Sequence, residues 1–340
     1  MYFNKNSVIN SKTVLNESGT LPKNHSTFHI SYGIDKNFIF GCGISIASIL
    51  MNNKDMEFTF HIFTDEFTKK DITEFKELCQ QYNTQIIIYI VNCEELKSLP
   101  STKNWSYATY FRFIIADFFY GELETLLYLD ADIICKGKLS SLADFQLGDH
   151  IAAVVTEGEK EWWDKRATAL DDEKISNGYF NAGFLLINIT QWGKEDISTS
   201  AMRLLSNDEI QRKISFLDQD ILNILLVERT VFLGKVYNAQ YSINYELKKT
   251  KNNKLSILQN AILIHYIGPT KPWHDWARNY ICSNFFQEAK QNSPWSGCNL
   301  LKAHSTSQLR YRAKHNLHNG EIISGLKSYL HYFIRKTFNY

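Results

Sequence analysis

The chain predicts an α/β fold, and three observations carry that prediction. Short β-branched or aromatic runs alternate with segments of helical length from residue 28 onward, the pattern of strands joined by crossover helices. Several runs, "TQIIIYIV" at 84–91 among them, are apolar at nearly every position, as strands covered on both faces are. Hydrophobic residues make up 44% of the 340 positions and charged residues 21%, which supplies a substantial core and excludes global disorder.

Residues 1–25 are polar and irregular and read as a flexible N-terminal arm. "TFHISYGID" (27–35) is the first strand, ending in a turn, and "FIFGCGISIASILMN" (38–52) is a helix too continuously apolar to have a solvated face. "MEFTFHIFTD" (56–65) is the second strand. "TKKDITEFKELCQQYN" (68–83) is an amphipathic helix with Ile72, Phe75 and Leu78 inward. After the strand at 84–91, "SYATYFRFIIADFFY" (106–120) has helical length and "LETLLYLDADI" (123–133) is the fourth strand. "HIAAVV", "YFNAGFLLINI", "TVFLGK" and "NAILIHYIG" read as further strands in a less regular second half. "SFLDQDILNILLV" (215–227) opens a helix at its acidic start, with Asp218 and Asp220 near the positive end of the dipole. No linker interrupts residues 26–285, so one main domain precedes a C-terminal extension over 286–340.

Composition narrows the function classes. A formal net charge of +1 gives no global field for nucleic acid. The charge is lopsided, however: Arg310, Arg312, Lys314, Lys327, Arg335 and Lys336 face Glu321 alone in the last stretch. There Ile322, Ile323, Leu326, Tyr329, Leu330 and Phe333 recur at helical spacing, with Lys327, His331, Arg335 and Lys336 off that face or at its end. This predicts a helix lying in the plane of an anionic membrane surface. The six cysteines form no CxxC pair, which points to free thiols in a reducing compartment. An N-terminus without an apolar h-region and the lack of an ~18-residue apolar run predict neither signal peptide nor membrane span. The expected location is cytosolic, at the cytosolic face of a membrane.

The chemistry starts at "LYLDADI". Residues i and i+2 on a strand face one side, so Asp130 and Asp132 can converge on a cation. Hard divalent ions such as Mg²⁺ or Mn²⁺ take oxygen ligands and keep positions open for phosphates. "ILIHYIGPTKPWH" delivers His265, an acceptable Mn²⁺ ligand, followed by Gly268, where backbone can approach a phosphate, and Lys271, a point charge for one. In "YGIDKNF" (32–38), Asp35 and Asn37 can bond a nucleobase or ribose while Tyr32 or Phe38 stacks; the competing reading is an Asx turn capping the next helix. In parallel sheets ligands bind beyond the carboxyl ends of the strands, so Asp35 and the Asp130/Asp132 pair should share one crevice. "GCG" at 41–43 is not a dinucleotide fingerprint, since it lacks the third glycine and lies inside the helix.

"YGIDKNF", "YATYFRF", "LYLDADI", "YFNAGF", "LDQDILN" and "HYIGPTKPW" stand in the order and spacing of the family 8 retaining glycosyltransferases, and the chain resembles their lipopolysaccharide-core branch over roughly residues 28–340. The resemblance implies a GT-A catalytic domain over 26–285, with a basic, aromatic, membrane-associating extension over 286–340. It implies a UDP-sugar donor, a Mn²⁺ or Mg²⁺ cofactor and a lipid-anchored core oligosaccharide acceptor, at the cytosolic face of the inner membrane. Asp130, Asp132 and His265 would ligate the metal. Gly33, Ile34, Asp35, Lys36, Asn37 and Phe38 would hold uridine, and Ala131 with Gly268, Pro269, Thr270 and Lys271 would border the diphosphate. Arg112, Asn181, Gly183, Asp218 and Gln219 would surround the donor sugar, and Glu157 stands where relatives often carry aspartate. The implied reaction forms an α-1,3 bond to galactose or glucose, with α-1,2 transfer as the alternative.

For retention, Asp218 is a candidate carboxylate nucleophile, and same-face attack is the other route. Two rival readings fit less well. A sugar-1-phosphate nucleotidyltransferase needs a Gly/Arg-rich triphosphate loop, and "ISYGIDKNFIFG" carries no basic residue besides Lys36. A scaffold that binds sugar nucleotides without turnover has no need of the full Asp130, Asp132, His265 and Lys271 set.

Overall fold

A computed structural model describes residues 1–16, 27–100, 107–248 and 257–338. Eleven strands are present among them: β1 (Ile9–Leu15), β2 (Phe28–Ile34), β3 (Phe58–Thr64), β4 (Gln85–Val91), β5 (Thr125–Leu129), β6 (Ile133–Cys135), β7 (Ala152–Thr156), β8 (Phe180–Asn188), β9 (Thr230–Phe232), β10 (Ala239–Gln240) and β11 (Leu263–His265). Eight form the main sheet in the order β1-β4-β3-β2-β5-β8-β7-β9, and three form a small sheet in the order β10-β11-β6. The strands β4, β3, β2 and β5 are parallel, as the alternation predicts. Antiparallel pairing of β8 with β5 and β7, and of β1 with β4, makes the whole sheet mixed.

Strand periodicity sorts the core into two layers. From β5, Leu127 and Leu129 enter one hydrophobic cluster while Leu126 and Tyr128 enter the other. β8 does the same with Phe184 and Leu186 on one side and Leu185 and Ile187 on the other. The first layer is covered by helix Ile39–Asn52, buried at Ile44, Ile46 and Ile49, and the second by helix Phe111–Phe119. Each such side chain fully removed from water contributes about 1.5–3 kcal/mol. Helix Lys69–Tyr82 is bounded as its sequence suggests. Thr68 and Asp71 form a reciprocal capping box, and Asn83 ends the helix in a left-handed conformation at φ +49°. Phe75 and Leu78 are buried, with Ile72 packed half-buried against the core.

Two boundaries differ from the sequence reading. The expected N-terminal arm is docked over 1–16: β1 pairs with β4 from Ile9↔Val91 to Leu15↔Ile86, and Phe3 and Val8 are buried. The outer edge of β4 would otherwise expose unpaired backbone, and β1 covers it. Residues 17–25 of that arm lie outside the described residues. Nor does a separate unit begin at 286. Helix Asn284–Gln291 contributes Phe286 and Ala289 to the main core, and Trp295 packs against Phe75, 5.0 Å between ring centroids. The distinct C-terminal piece is a helical hairpin, Thr306–His318 and Ile322–Phe338.

The fold positions one crevice. β2 and β5 are parallel in the register Ile30↔Leu127, so their carboxyl ends reach the same edge of the sheet. There the chain leaves the main sheet after Leu129 and enters the small sheet at Ile133. Asp130, Ala131 and Asp132 are the link between the two sheets.

Candidate active site

That link corrects the reason given for convergence of the two aspartates. They do not share a strand face: Asp130, Ala131 and Asp132 form a turn in which Ile133 N–H donates to the Asp130 carbonyl at 3.1 Å. Each sheet then supplies a neighbour. Asp130 N–H donates to the Gly183 carbonyl at 2.8 Å, extending the β5–β8 ladder. In the small sheet His265 pairs with Ile133, and Tyr266 N–H donates to the Asp132 carbonyl at 3.0 Å. As a result, ligand atoms of Asp130, Asp132 and His265 lie within 4.8 Å of one another. His265 Nε2 is 3.1 Å from Asp132 Oδ1 and 3.9 Å from Asp130 Oδ2.

Three observations make this set fit a divalent cation. Asp132 Oδ1 is buried and accepts no hydrogen bond, a costly state for a carboxylate oxygen unless a cation completes it. Asn238 Oδ1 lies 2.9 Å from His265 Nδ1, which fixes the proton on Nδ1 and leaves Nε2 bare toward the carboxylates. Gly183 keeps the space clear, because a Cβ there would stand 2.5 Å from His265 Cε1 and 2.6 Å from Asp130 Oδ2. Two carboxylates and an imidazole together suit a divalent cation. Burial alone would raise the Asp132 pKa, but the Lys271 ammonium beside it holds the carboxyl below its ordinary range.

Lys271 Nζ donates to Asp132 Oδ2, and to the Tyr266 carbonyl at 2.8 Å, which uses two of its three donors. On the opposite side, Arg112 is buried between the acids. Its Nη2 is 3.4 Å from Asp130 Oδ1, its Nε is 3.1 Å from Asp218 Oδ2, and its guanidinium lies 4.6 Å above the Tyr128 ring. Arg112 Nη1 also donates to the Ala182 carbonyl. Thr109 donates to Asp218 Oδ1, while burial lifts the Asp218 carboxyl to about 6 against the pull of Arg112 and Thr109.

A polar network runs from this pair across the start of β8. Gln219 Oε1 accepts from Asn181 Nδ2 at 3.1 Å and Ala182 N–H at 3.0 Å, and its Nε2 donates to Glu157 Oε2 at 3.1 Å. Glu157 Oε2 also accepts from Asn181 Nδ2 at 2.9 Å. Asn238 Nδ2 donates to Asn181 Oδ1 at 3.1 Å, so the same asparagine that orients His265 joins the network to the metal set. The segment carrying Asp218 and Gln219 is held by Asp220. That carboxylate is fully buried, accepts from Ser215 and Phe216 N–H at 2.7 and 2.8 Å, and pairs with Arg166 at 2.7 Å. Leu217 between them sits at φ +45°, an uncommon conformation for a leucine that this anchoring sustains.

The remaining predicted residues divide. Asp35 caps the short helix Lys36–Phe38, its side chain accepting from Asn37 N–H at 2.9 Å, which is the Asx turn of the competing reading. Phe38 meets Trp273 edge-on at 5.7 Å, so "YGIDKNF" and "GPTKPW" adjoin. Gly33 and Ile34 serve packing through their side-chain positions: a Cβ on Gly33 would stand 2.8 Å from Phe111 Cβ, and Ile34 is buried core. Lys36 and Asn37 are exposed, as are Gly268 and Pro269, and Gly268 adopts φ +85°. The Thr270 hydroxyl faces inward and donates to Asn244 at 2.7 Å. Sequence reasoning missed Asn238, Tyr128, Thr109, Asp220 as an anchor, and Arg166. Thr109 and Asp220 lay within motifs already singled out, whereas Asn238 carried no local signal.

Comparison with known proteins agrees with this architecture. The model for Glycosyl transferase family 8 matches residues 29–277, and that for Glycosyl transferase family 8 C-terminal matches 280–336. A lipopolysaccharide 1,3-galactosyltransferase of Salmonella typhimurium is 52% identical over 310 residues, 91% of each chain. The lipopolysaccharide glucosyltransferase WaaO of Escherichia coli is 51% identical over 308 residues, 90% of each chain. Among solved structures, galactosyltransferase LgtC in complex with donor and acceptor sugar analogs superposes with a TM-score of 0.67 at 22% identity, over 79% of this chain and 99% of that one. The chain is therefore an enzyme of glycosyl transferase family 8, with a GT-A fold and a helical C-terminal region.

Proposed function

We propose that this glycosyltransferase moves galactose or glucose from a UDP-sugar onto the lipopolysaccharide outer core with retention, forming an α-1,3 bond. The observation that carries the reading is the junction itself: Asp130, Asp132 and His265 converge between Lys271 on one side and the Gln219–Asn181–Glu157 network on the other. Relatives that act on lipopolysaccharide, at 52% and 51% identity over nine-tenths of the chain, support the pathway. The more similar of the two is a 1,3-galactosyltransferase, which supports the linkage.

Asp130, Asp132 and His265 would hold a Mn²⁺ or Mg²⁺ ion, which when bound supplies Lewis-acid neutralisation of the charge that grows on departing UDP. Lys271 adds a fixed positive charge beside the same diphosphate, and Gly268 turns the backbone toward it. Asp35, Lys36, Asn37 and Phe38 line the uridine end, held there by the packing of Gly33 and Ile34. Arg112 keeps Asp130 and Asp218 apart electrostatically and in place. Gln219, Asn181 and Glu157 present amide and carboxylate groups to sugar hydroxyls. The test is transfer of labelled hexose from UDP-galactose and UDP-glucose to truncated core acceptors, with the product's anomeric linkage read by NMR. An α-1,3 product supports the proposal; no transfer from either donor contradicts it.

The acceptor class also gives the C-terminal hairpin a purpose. Helix Ile322–Phe338 packs on its partner helix through small residues: a Cβ on Gly325 would stand 2.6 Å from Leu317. The opposite face carries Ile322, Ile323, Leu326, Leu330, Phe333 and Ile334, from 44 to 72% exposed. Tyr329 leaves the expected apolar face and is half-buried, and Ile334 joins it. No described helix is long and apolar enough to cross a membrane. With exposed Lys327 and Lys336 flanking it, the face fits the surface of an anionic leaflet, where a lipid-anchored acceptor resides.

A further inference from the structure

His315 stands on helix Thr306–His318, outside the residues that form the crevice, yet it is fully buried in contact with a loop of the crevice. Its Nδ1 lies 2.8 Å from the Tyr280 hydroxyl, and its Nε2 lies 2.9 Å from Asn244 Oδ1 and 3.3 Å from Thr270 Oγ1. Burial pushes its pKa down to about 4, so at neutral pH the ring carries one proton. The partners decide where that proton sits. Asn244 Oδ1 can only accept, so Nε2–H donates to it, and Nδ1 accepts from Tyr280 O–H. Thr270 O–H donates to the same Asn244 oxygen at 2.7 Å. Both ring nitrogens, the Asn244 carbonyl oxygen and the Thr270 and Tyr280 hydroxyls thereby have partners of the right kind, and a network so connected holds its members in one arrangement.

What it holds is the loop Gly268–Lys271. Thr270 is fixed from beneath by the Asn244–His315 pair, one residue before Lys271, whose ammonium reaches Asp132. The Arg312–Asp275 ion pair, at 3.0 Å, ties the same helix to the chain just beyond the loop. We propose that His315 is a positioning residue for the diphosphate-binding loop, so that the C-terminal hairpin is a structural part of the donor site. The proposal rests on the reading of that loop as the diphosphate site given above. It follows that a truncation removing residues 310–340 takes away part of the donor site along with the lipid-facing helix, whereas one removing 322–340 spares it.

The experiment compares full-length wild type with His315→Ala, His315→Gln and Tyr280→Phe. Hydrogen exchange is followed at residues 266–276, and UDP affinity is measured by calorimetry in Mn²⁺. His315→Ala is expected to speed exchange across the loop and weaken UDP about three- to tenfold, the equivalent of one net hydrogen bond. His315→Gln, whose side-chain amide can still donate to Asn244, is expected to restore most of both. Tyr280→Phe keeps the ring and loses one hydroxyl, so it gives a smaller change of the same sign if the alanine variant does not fold. Unchanged exchange and UDP affinity in the variants, with wild type binding UDP, overturn this inference alone. Equal losses in Ala and Gln variants overturn it too, since a merely structural role predicts that. A wild-type chain that binds no UDP overturns the donor reading and this inference with it.

Discussion

A histidine that ligates a divalent cation must present a bare ring nitrogen, and Asn238 is the residue that makes His265 do so. It holds Nδ1 at 2.9 Å while its own amide donates to Asn181, so one side chain sets both the tautomer and the edge of the Gln219–Asn181–Glu157 network. Asn238→Ala should therefore lower Mn²⁺ affinity about 10–100-fold, the usual cost of losing an orienting partner. Calorimetry with Mn²⁺ alone reads this directly, and unchanged affinity would mean the tautomer is set elsewhere. Gln219 tests the other end. Its amide meets Glu157, Asn181 and Ala182, so Gln219→Ala should lower kcat while UDP affinity stays nearly constant. Collapse of UDP binding would place it in the nucleotide site. At this scale the sequence was legible where chemistry is local. Asp130, Asp132, His265 and Lys271 announce themselves by type and spacing near strand ends. Asn238, Tyr128 and Arg166 do not, because the partners that give them a role (His265 and Asn181, Arg112, and Asp220) are distant in the chain and meet them only in the fold.

Among the elements, the strands with continuous apolar runs and the amphipathic helix Lys69–Tyr82 were readable because burial is written in side-chain type. β1 was not readable. Its residues half-expose, in the pattern of intermediate and exposed positions broken only by buried Leu15, and its reason for being a strand lies in the open edge of β4. The same limit explains the C-terminal boundary: Trp295 belongs to the core because it fills the space over Gly43, where a Cβ would stand 2.3 Å from its ring. The hairpin helix was visible by its period, though which residues lie outward needed the packing of Gly325. Deleting 322–340 should abolish salt-sensitive binding to anionic vesicles and leave UDP-sugar hydrolysis intact. Co-sedimentation of the shortened chain equal to that of the full one would show that the helix is not the anchor.

For the molecule as a whole, buried histidines set the response to acid. His61 and His274 are held at about 3 and His315 at about 4, chiefly by burial, against an ordinary value of 6.5. The unfolded chain takes up these protons as pH falls through 6.5, and the folded chain does so only near 3 to 4. Between those limits the unfolded state binds more protons, so stability falls as pH is lowered from about 6.5 toward 4. Asp218, lifted to about 6, pulls the other way, as do Asp117 and Asp275, which burial also raises, but the imidazoles, joined by His29 that burial lowers, carry the larger shifts. Thermal unfolding should therefore come at lower temperature at pH 5 than at pH 7, and His61→Leu should reduce the difference; an equal or higher midpoint at pH 5 would show that carboxylates govern instead. The activity of the molecule turns on the junction of the two sheets, where Asp130, Asp132 and His265 meet. The most direct test is hexose transfer from the UDP-sugar donor to core oligosaccharide in excess EDTA, followed by titration with Mn²⁺, for wild type and Asp132→Ala. EDTA should abolish wild-type transfer, Mn²⁺ should restore it, and Asp132→Ala should stay down by orders of magnitude. Full transfer in EDTA, or near wild-type transfer by Asp132→Ala, would contradict this dependence on the junction.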